Sequence, residues 1–382
     1  MKLSTGALLL CAGALWLHAA TASAESIFTY FGTYTNALSR GIYVARLDPA
    51  TGRLSTLELA AATPSPCFLA VSPDGTRLYA ANSVPVFGGV KTGAASAFRI
   101  DHTTGHLTLL NQAATGGAGP CHVSVDQTGK TLLVANYAGG SVMSLALNQD
   151  GRLGSGNSFY QYSGHSVNPT RQTSPHAHFI CPDPANHYAL ACDLGTDKVM
   201  IYKLTNGVLT ANEPPFASVP PGAGARHLAF SGDGKFAYVA NEMGGTITTF
   251  AWDGAKGTLD LIETVSALPA GVAMRPDYTA AEFLTSGHFV YVTVRGHDSV
   301  SVLAADAHNG RLTLVQNLSA GGQIPRGLGI DPTGRWLIVA NQKSNNVVVF
   351  GIAAATGKLS PTGQELKIGA PVDVKFVPQR PN

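Results

Sequence analysis

The stretch SGDGKFAYVANE, residues 231 to 242, recurs with small changes as SPDGTRLYAANS (72 to 83), DQTGKTLLVANY (126 to 137) and DPTGRWLIVANQ (331 to 342). DPANHYALACDL (183 to 194) and LTSGHFVYVTVR (284 to 295) are weaker copies, and FGTY (31 to 34) matches only the end of the unit. The position of the last Asn is held by Thr33, Asn82, Asn136, Asp193, Asn241, Val294 and Asn341, at steps of 49, 54, 57, 48, 53 and 47 residues. A unit of this size cannot bury a core alone and must stack on its neighbours, and a period of roughly 40 to 50 residues is that of a propeller blade.

Each unit reads as four strands. An alternating run such as RHLAFS leads through a Gly turn into FAYVAN, a short Asn/Gly loop, a third strand such as GTITTFAW, and a fourth opening with TLDLIE. This is an antiparallel meander, so the sequence predicts an all-β, seven-bladed propeller of four-stranded blades. The first unit lacks its opening strand, and the last is followed by a surplus one, PVDVKFV (371 to 377). That strand is expected to complete the first blade and close the ring, pairing edges that would otherwise be exposed.

Composition fits a compact, turn-rich β protein: 13% charged residues, 43 Gly and 22 Pro. At the N-terminus, Lys2 precedes the apolar run GALLLCAGALWL, and Ala22-Ser23-Ala24 forms a small-x-small cleavage pattern. The expected organisation is a signal peptide over 1–24, cleaved before Glu25, and a single propeller domain over 25–382 that is periplasmic or secreted. A lipoprotein reading through Cys11 is weaker, because bulky Leu10 sits where a small residue belongs. Removing Lys2 leaves 24 basic against 23 acidic residues (25 − 1 and 23), with no run of like charge. Neither nucleic acid nor an anionic membrane is an expected partner, no later segment is apolar enough to span a bilayer, and a monomer is expected. Cys67, Cys121, Cys181 and Cys192 fit no zinc spacing and read as small buried residues, with one bridge left open.

The repeat register places the chemistry. Counting back from the turn Gly of each unit, or from Asn186 in its place, the first strands begin with Cys67, Cys121, His178, Arg226 and Arg326 and line the central channel. The second strand returns to the same mouth and ends in Ser83, Tyr137, Leu194, Glu242, Arg295 and Gln342. His178, Arg226, Arg326, Glu242 and Arg295 should therefore converge on one rim, and His176, two residues before His178, should share its strand face.

PHAH, GARHLAFSGDGKFAYVANE, FVYVTVRGHDSV and PRGLGIDPTGRWLIVANQKSNNVVVF resemble the lactonase seven-bladed propeller family, which includes bacterial 6-phosphogluconolactonases and fungal carboxymuconate cyclases. The likeness covers nearly all of 26 to 377. It implies a metal-independent, cofactor-free site that opens or closes a lactone, with His178 (or its neighbour His176), Arg226, Glu242 and Arg295 as catalytic groups and His176, Arg326 and His297 as substrate-binding ones. The substrate would be a small-molecule lactone such as a sugar lactone.

On that reading a guanidinium anchors a substrate carboxylate or phosphate and a second stabilises the oxyanion, while Glu242 and His178 share the proton transfer. A Ser nucleophile is not expected, because no G-x-S-x-G motif occurs. A cycloisomerase of muconolactone type would use the same rim. A noncatalytic exported propeller, similar to surface-layer repeat proteins, would explain the repeats but not the charged rim. Zinc at His-x-His is disfavoured, because His122 and His227 sit one residue past the mouth register, on the other face of their strands. The strand-end asparagines read as turn formers that tolerate left-handed geometry.

Overall fold

The protein is described here by a computed structural model covering residues 26–378, so the expected signal peptide and its cleavage before Glu25 lie outside the described residues. Seven four-stranded antiparallel sheets form the chain. The inner strands are Pro371–Pro378, Pro66–Val71, Pro120–Val125, Ala177–Pro182, Ala225–Phe230, Thr279–Ser286 and Pro325–Ile330, for blades 1 to 7, and each touches the next around the ring. Proline opens four of them (Pro66, Pro120, Pro325 and Pro371), a strand position where its missing N–H costs no ladder bond.

The closure expected from PVDVKFV is observed: the inner strand Pro371–Pro378 pairs with Ile27–Thr33 in antiparallel register, Phe28 opposite Val377 and Phe31 opposite Val374. Asp373 also accepts a hydrogen bond from the Leu69 N–H at 2.7 Å, fastening this last strand to blade 2.

The second strands read as near-continuous buried runs, as in Thr131–Asn136 and Phe236–Asn241, because both faces are covered by neighbouring blades. Between blades 2 and 3, for instance, Tyr79 and Ala81 belong to one cluster with Leu132 and Val134. The hydroxyls of Tyr30, Tyr79 and Tyr291 donate to the carbonyls of Gly105, Gly151 and Gly357, each in the next blade. The aromatic in the repeated strand thus brings both apolar area and a cross-blade tie.

The turn between first and second strands explains why Asn186 stands in for glycine. The equivalent residues Gly75, Gly129, Gly234 and Gly334 have φ of 69, 69, 71 and 70°, and Asn186 takes 59° in the same place. Asn is among the few residues with a side chain that enters this region readily.

The point left open on the cysteines is answered: Cys67, Cys121, Cys181 and Cys192 are free thiols. One expectation needs correction. The strand-end asparagines are not left-handed turn residues: Asn82, Asn136, Asn241 and Asn341 are fully buried and absent from the positive-φ set. Their amides instead bond the segments around their own blade, as Asn136 Nδ2 does to the Thr115 carbonyl (2.9 Å) and Asn341 Nδ2 to that of Ala320 (3.1 Å). Burial forces the amide to find a fixed partner.

Each inner strand carries one irregularity that positions the site. In blade 4, Ala177 pairs with Asp193 and Phe179 with Cys192, which leaves His178 as an extra, bulged residue. The same two-against-one pattern isolates Cys67, Cys121, Arg226 and Arg326. A bulge breaks the strict alternation of a strand and re-aims its extra side chain.

Candidate active site

The bulges bring Cys121, His178 and Arg326, from three blades, to a single channel mouth, where a cavity of about 340 Å³ opens. His178, Glu242, Arg295 and Arg326 line it, together with Tyr34, Cys121, Tyr137 and Arg171. Arg226 lies directly behind Glu242.

Glu242 follows the second strand of blade 5, and its backbone is fixed on both sides: its N–H donates to Gly224 O (2.7 Å), and its carbonyl accepts from Ala280 N–H (3.0 Å). Its carboxylate meets three guanidinium groups. Oε1 accepts from Arg171 Nη2 at 2.7 Å, and Oε2 accepts from Arg226 Nε at 3.0 Å and faces Arg295 Nη2 at 2.9 Å. Burial alone would raise this carboxyl's pKa, but Arg295, Arg226 and Arg171 outweigh it and hold the group far below the usual carboxylate range.

The arginines are equally constrained. Arg226, 2% exposed, also donates to Ala281 O at 2.6 Å. Burial brings Arg295 down to about 10 despite the opposing pull of Glu242, and its Nε has no partner among the described residues. Arg326 makes no ion pair among the described residues; it approaches the Tyr34 hydroxyl (3.4 Å) and lies 5.5 Å from that ring. Three guanidiniums line the mouth, those of Arg171, Arg295 and Arg326, and with Arg226 behind them the cluster of four around one carboxylate carries three excess positive charges (4 − 1).

His178 is 4% exposed. Burial first, then Arg226 and His227, pushes its pKa well below the ordinary imidazole value, so the ring stays neutral. Its Nδ1 has no partner among the described residues. Tyr137 meets it edge-on at 5.5 Å and is stacked on its other neighbour, His176, at 4.5 Å.

His176 itself is not on the His178 strand face. The strand begins at Ala177, so alternation does not reach back to it; its Nδ1 sits 3.1 Å from Tyr137 O, and it does not line the cavity. His297 is also set apart. Gly296, at φ 80°, turns the chain, and His297 Nδ1 meets Ser299 Oγ at 2.7 Å beside Tyr278. His122 and His227 stand closer to the site than alternation allowed, because the bulge cancels it: the His227 ring is 5.1 Å from His178 and 5.5 Å from His122. Among the described residues, no three His, Cys, Asp or Glu side chains come together as a metal-binding group.

Cys67 and Cys121 occupy bulge positions as well. Their thiols point at the carbonyls of Pro120 (3.4 Å) and His178 (3.3 Å), and burial raises both pKa values, that of Cys67 to about 12. These are protonated thiols, not nucleophiles.

Sequence reasoning missed Arg171 and Tyr34. Arg171 lies in the loop between blades 3 and 4, shaped by Asn168 Oδ1 accepting the Arg171 N–H and by buried Gln172 donating to Leu194 O. The only available signal was its place four residues before PHAH in a chain poor in charge. Tyr34 directly follows Thr33 and falls on the same register as Ser83 and Tyr137.

A closed propeller with an arginine cage around one glutamate, beside a neutral histidine at the channel mouth, gathers the paired donors that suit a small anion and a group able to move a proton. The chain belongs to the lactonase seven-bladed propeller family: residues 28–376 match the family described as "Lactonase, 7-bladed beta-propeller". It is 37% identical to a 6-phosphogluconolactonase of Bacillus subtilis over 92% of this chain and 98% of that protein. Among solved structures, it resembles a putative 6-phosphogluconolactonase of Bacteroides fragilis (TM-score 0.86, 34% identity, 94% of this chain and 99% of that one). It likewise resembles the periplasmic gluconolactonase of Pseudomonas aeruginosa (TM-score 0.86, 34% identity, 93% and 100%).

Proposed function

We propose that this protein is an exported, metal-independent lactonase that hydrolyses an aldonolactone, binding the phosphorylated form more tightly. The observation that carries this reading is the placement of neutral His178 beside a cluster with three excess positive charges (four arginines less Glu242). The 6-phosphogluconolactonase of B. subtilis supports the reaction, and the periplasmic gluconolactonase of P. aeruginosa supports export from a chain bearing Ala22-Ser23-Ala24.

In the proposed reaction Arg326, without a carboxylate partner among the described residues, holds the substrate's anionic group. Water attacks the lactone carbonyl while His178 takes its proton; Arg295, with its unpartnered Nε, stabilises the oxyanion of the tetrahedral intermediate. The ring C–O bond then breaks, and protonated His178 returns its proton to the leaving alkoxide. Glu242 was given a share of the proton transfer on sequence grounds. Its cage argues for another part: a carboxylate held so far below its usual range is too weak a base, and it serves as the anion that allows three arginines to share one mouth.

The purified mature chain should release acid from 6-phosphogluconolactone and gluconolactone, measured by a pH indicator, with and without exhaustive chelation. No rate above the uncatalysed one on either compound would overturn hydrolysis. Cyclisation of a muconate instead would establish the cycloisomerase reading. Periplasmic material should begin at Glu25; protein retaining Met1 in the cytoplasm would overturn export.

A further inference from the structure

Below the catalytic mouth, the residues one step further along the inner strands form a second buried tier. His122, His227 and Glu282 belong to it with Phe68 and Phe179. Within this tier His227 Nδ1 lies 2.9 Å from Glu282 Oε1, and both side chains are nearly fully buried. The opposite ring nitrogen, His227 Nε2, has no partner among the described residues, and neither has His178 Nδ1 on the ring 5.1 Å away. Two unpartnered buried nitrogens on adjacent rings are costly unless they satisfy each other.

We infer that Glu282 and His227 are positioning residues for His178, joined by a hydrogen bond from His178 Nδ1–H to His227 Nε2, direct or through one water. This rests on the reading of His178 as the proton-transfer group. The order of donors follows from the fixed end. Burial raises the Glu282 pKa against the pull of Lys375 and Arg226; in the ionised form Glu282 Oε1, which also receives the backbone N–H of Phe283 (3.3 Å), can only accept, so His227 carries its proton on Nδ1. That leaves His227 Nε2 as an acceptor, which selects the Nδ1–H tautomer of His178. The lone pair of His178 then stands on Nε2, free to take a proton, and when the imidazolium forms, its Nδ1–H remains bonded to His227.

Around this line stand Arg226 from blade 5, His122 from blade 3, Lys375 and Asp373 from blade 1, and Arg326 from blade 7, all acting on its electrostatics. The tier also explains why Glu282 escapes counting from the turn glycine. In blade 6 Ser286 pairs with Phe289 across residues 287–288 alone, whereas the turn in blade 2 spans 72–77, so the register is displaced.

Nitrogen-15 NMR of the intact labelled protein, with His178 and His227 assigned by single replacement, reads the tautomers independently of any activity. Both rings should be protonated on Nδ1 and bare on Nε2 near neutral pH; an Nε2–H on either overturns the inference, even if the protein proves an excellent lactonase. Glu282→Gln should lower kcat by about tenfold or more with little change in KM and shift His178 toward the Nε2–H form, while Glu282→Asp recovers part of the rate. An unchanged kcat and tautomer in Glu282→Gln would overturn it. Should the lactonase reading fail, the tautomer assignment still decides this one, and should Glu282→Gln not fold, the wild-type spectrum does so alone.

Discussion

Arg226 Nε and Glu242 Oε2, sixteen residues apart across one hairpin, meet at 3.0 Å with neither side chain more than 6% exposed. A buried pair of this kind gives little net stability when intact, because both ions are desolvated, but losing one partner strands the other. Glu242 has two such partners, Arg226 and Arg295, and a third, Arg171, that is partly exposed. Glu242→Gln should therefore cost about 3–5 kcal/mol in denaturant-measured stability, alongside a loss of turnover of about a hundredfold as Arg295 and Arg171 lose their anchor. Because the folded pKa is depressed, the Glu242 contribution is complete above the ordinary carboxylate range and disappears only as pH falls through the depressed value. The wild-type and Gln curves of stability against pH should converge only in strong acid; convergence already at pH 5 would contradict the cage.

Asp373 has the opposite sign. Burial raises its pKa to about 6, against the pull of Lys375, so the folded state binds its proton more tightly than the unfolded chain. Its contribution is complete below the unfolded value and is lost as pH rises through about 6, a change on the order of 3 kcal/mol. Nearby buried histidines titrate with the reverse slope, so the informative quantity is the difference between wild type and Asp373→Asn. That difference should shift in favour of the Asn variant between pH 4 and 6, and a flat difference across the window would refute the raised pKa.

The architecture was legible because it is periodic: seven copies of one buried strand fix the blade count, and the unpaired PVDVKFV fixes the closure. The rim residues His178, Arg226 and Arg326 were legible for a subtler reason. The bulge recurs at one register in blades 2, 3, 4, 5 and 7, so counting from the turn glycine finds it there without knowing that it is a bulge. Counting fails where the period fails. Arg171 reaches Glu242 from an irregular loop whose path depends on Asn168 and Gln172, and Glu282 precedes a shortened hairpin turn. His297 and His176 lie just outside regular strands, where neither period nor alternation has any hold.

The closing strand supplies a test of the ring itself. Deleting residues from 371 onward exposes the edge of Ile27–Thr33 and removes Val372, Val374 and Val377, all at most 3% exposed. Each buried valine is worth about 1.5–3 kcal/mol, so the truncated chain should lose several kcal/mol or fail to fold. An unchanged melting temperature would mean that the ring is held by something other than this strand.

Arg326 separates binding from chemistry. It lines the cavity, has no acidic partner among the described residues, and is steadied only by the Tyr34 ring and hydroxyl, so removing it strands no buried anion. Its charge is thus available to the substrate. Arg326→Ala should raise KM for a phosphorylated lactone by about tenfold or more, the scale of one lost charge-assisted hydrogen bond, and change kcat by far less. On an uncharged lactone the KM of the variant should move little, because no anion is there to lose its partner. Arg326→Lys should recover only part of the binding, since a single ammonium cannot reproduce the paired donors of a guanidinium. Rising salt should weaken binding of the phosphorylated substrate to wild type and flatten the gap between the two proteins. A fall in kcat with KM unchanged would place Arg326 on the oxyanion instead and move the anchoring role to Arg171.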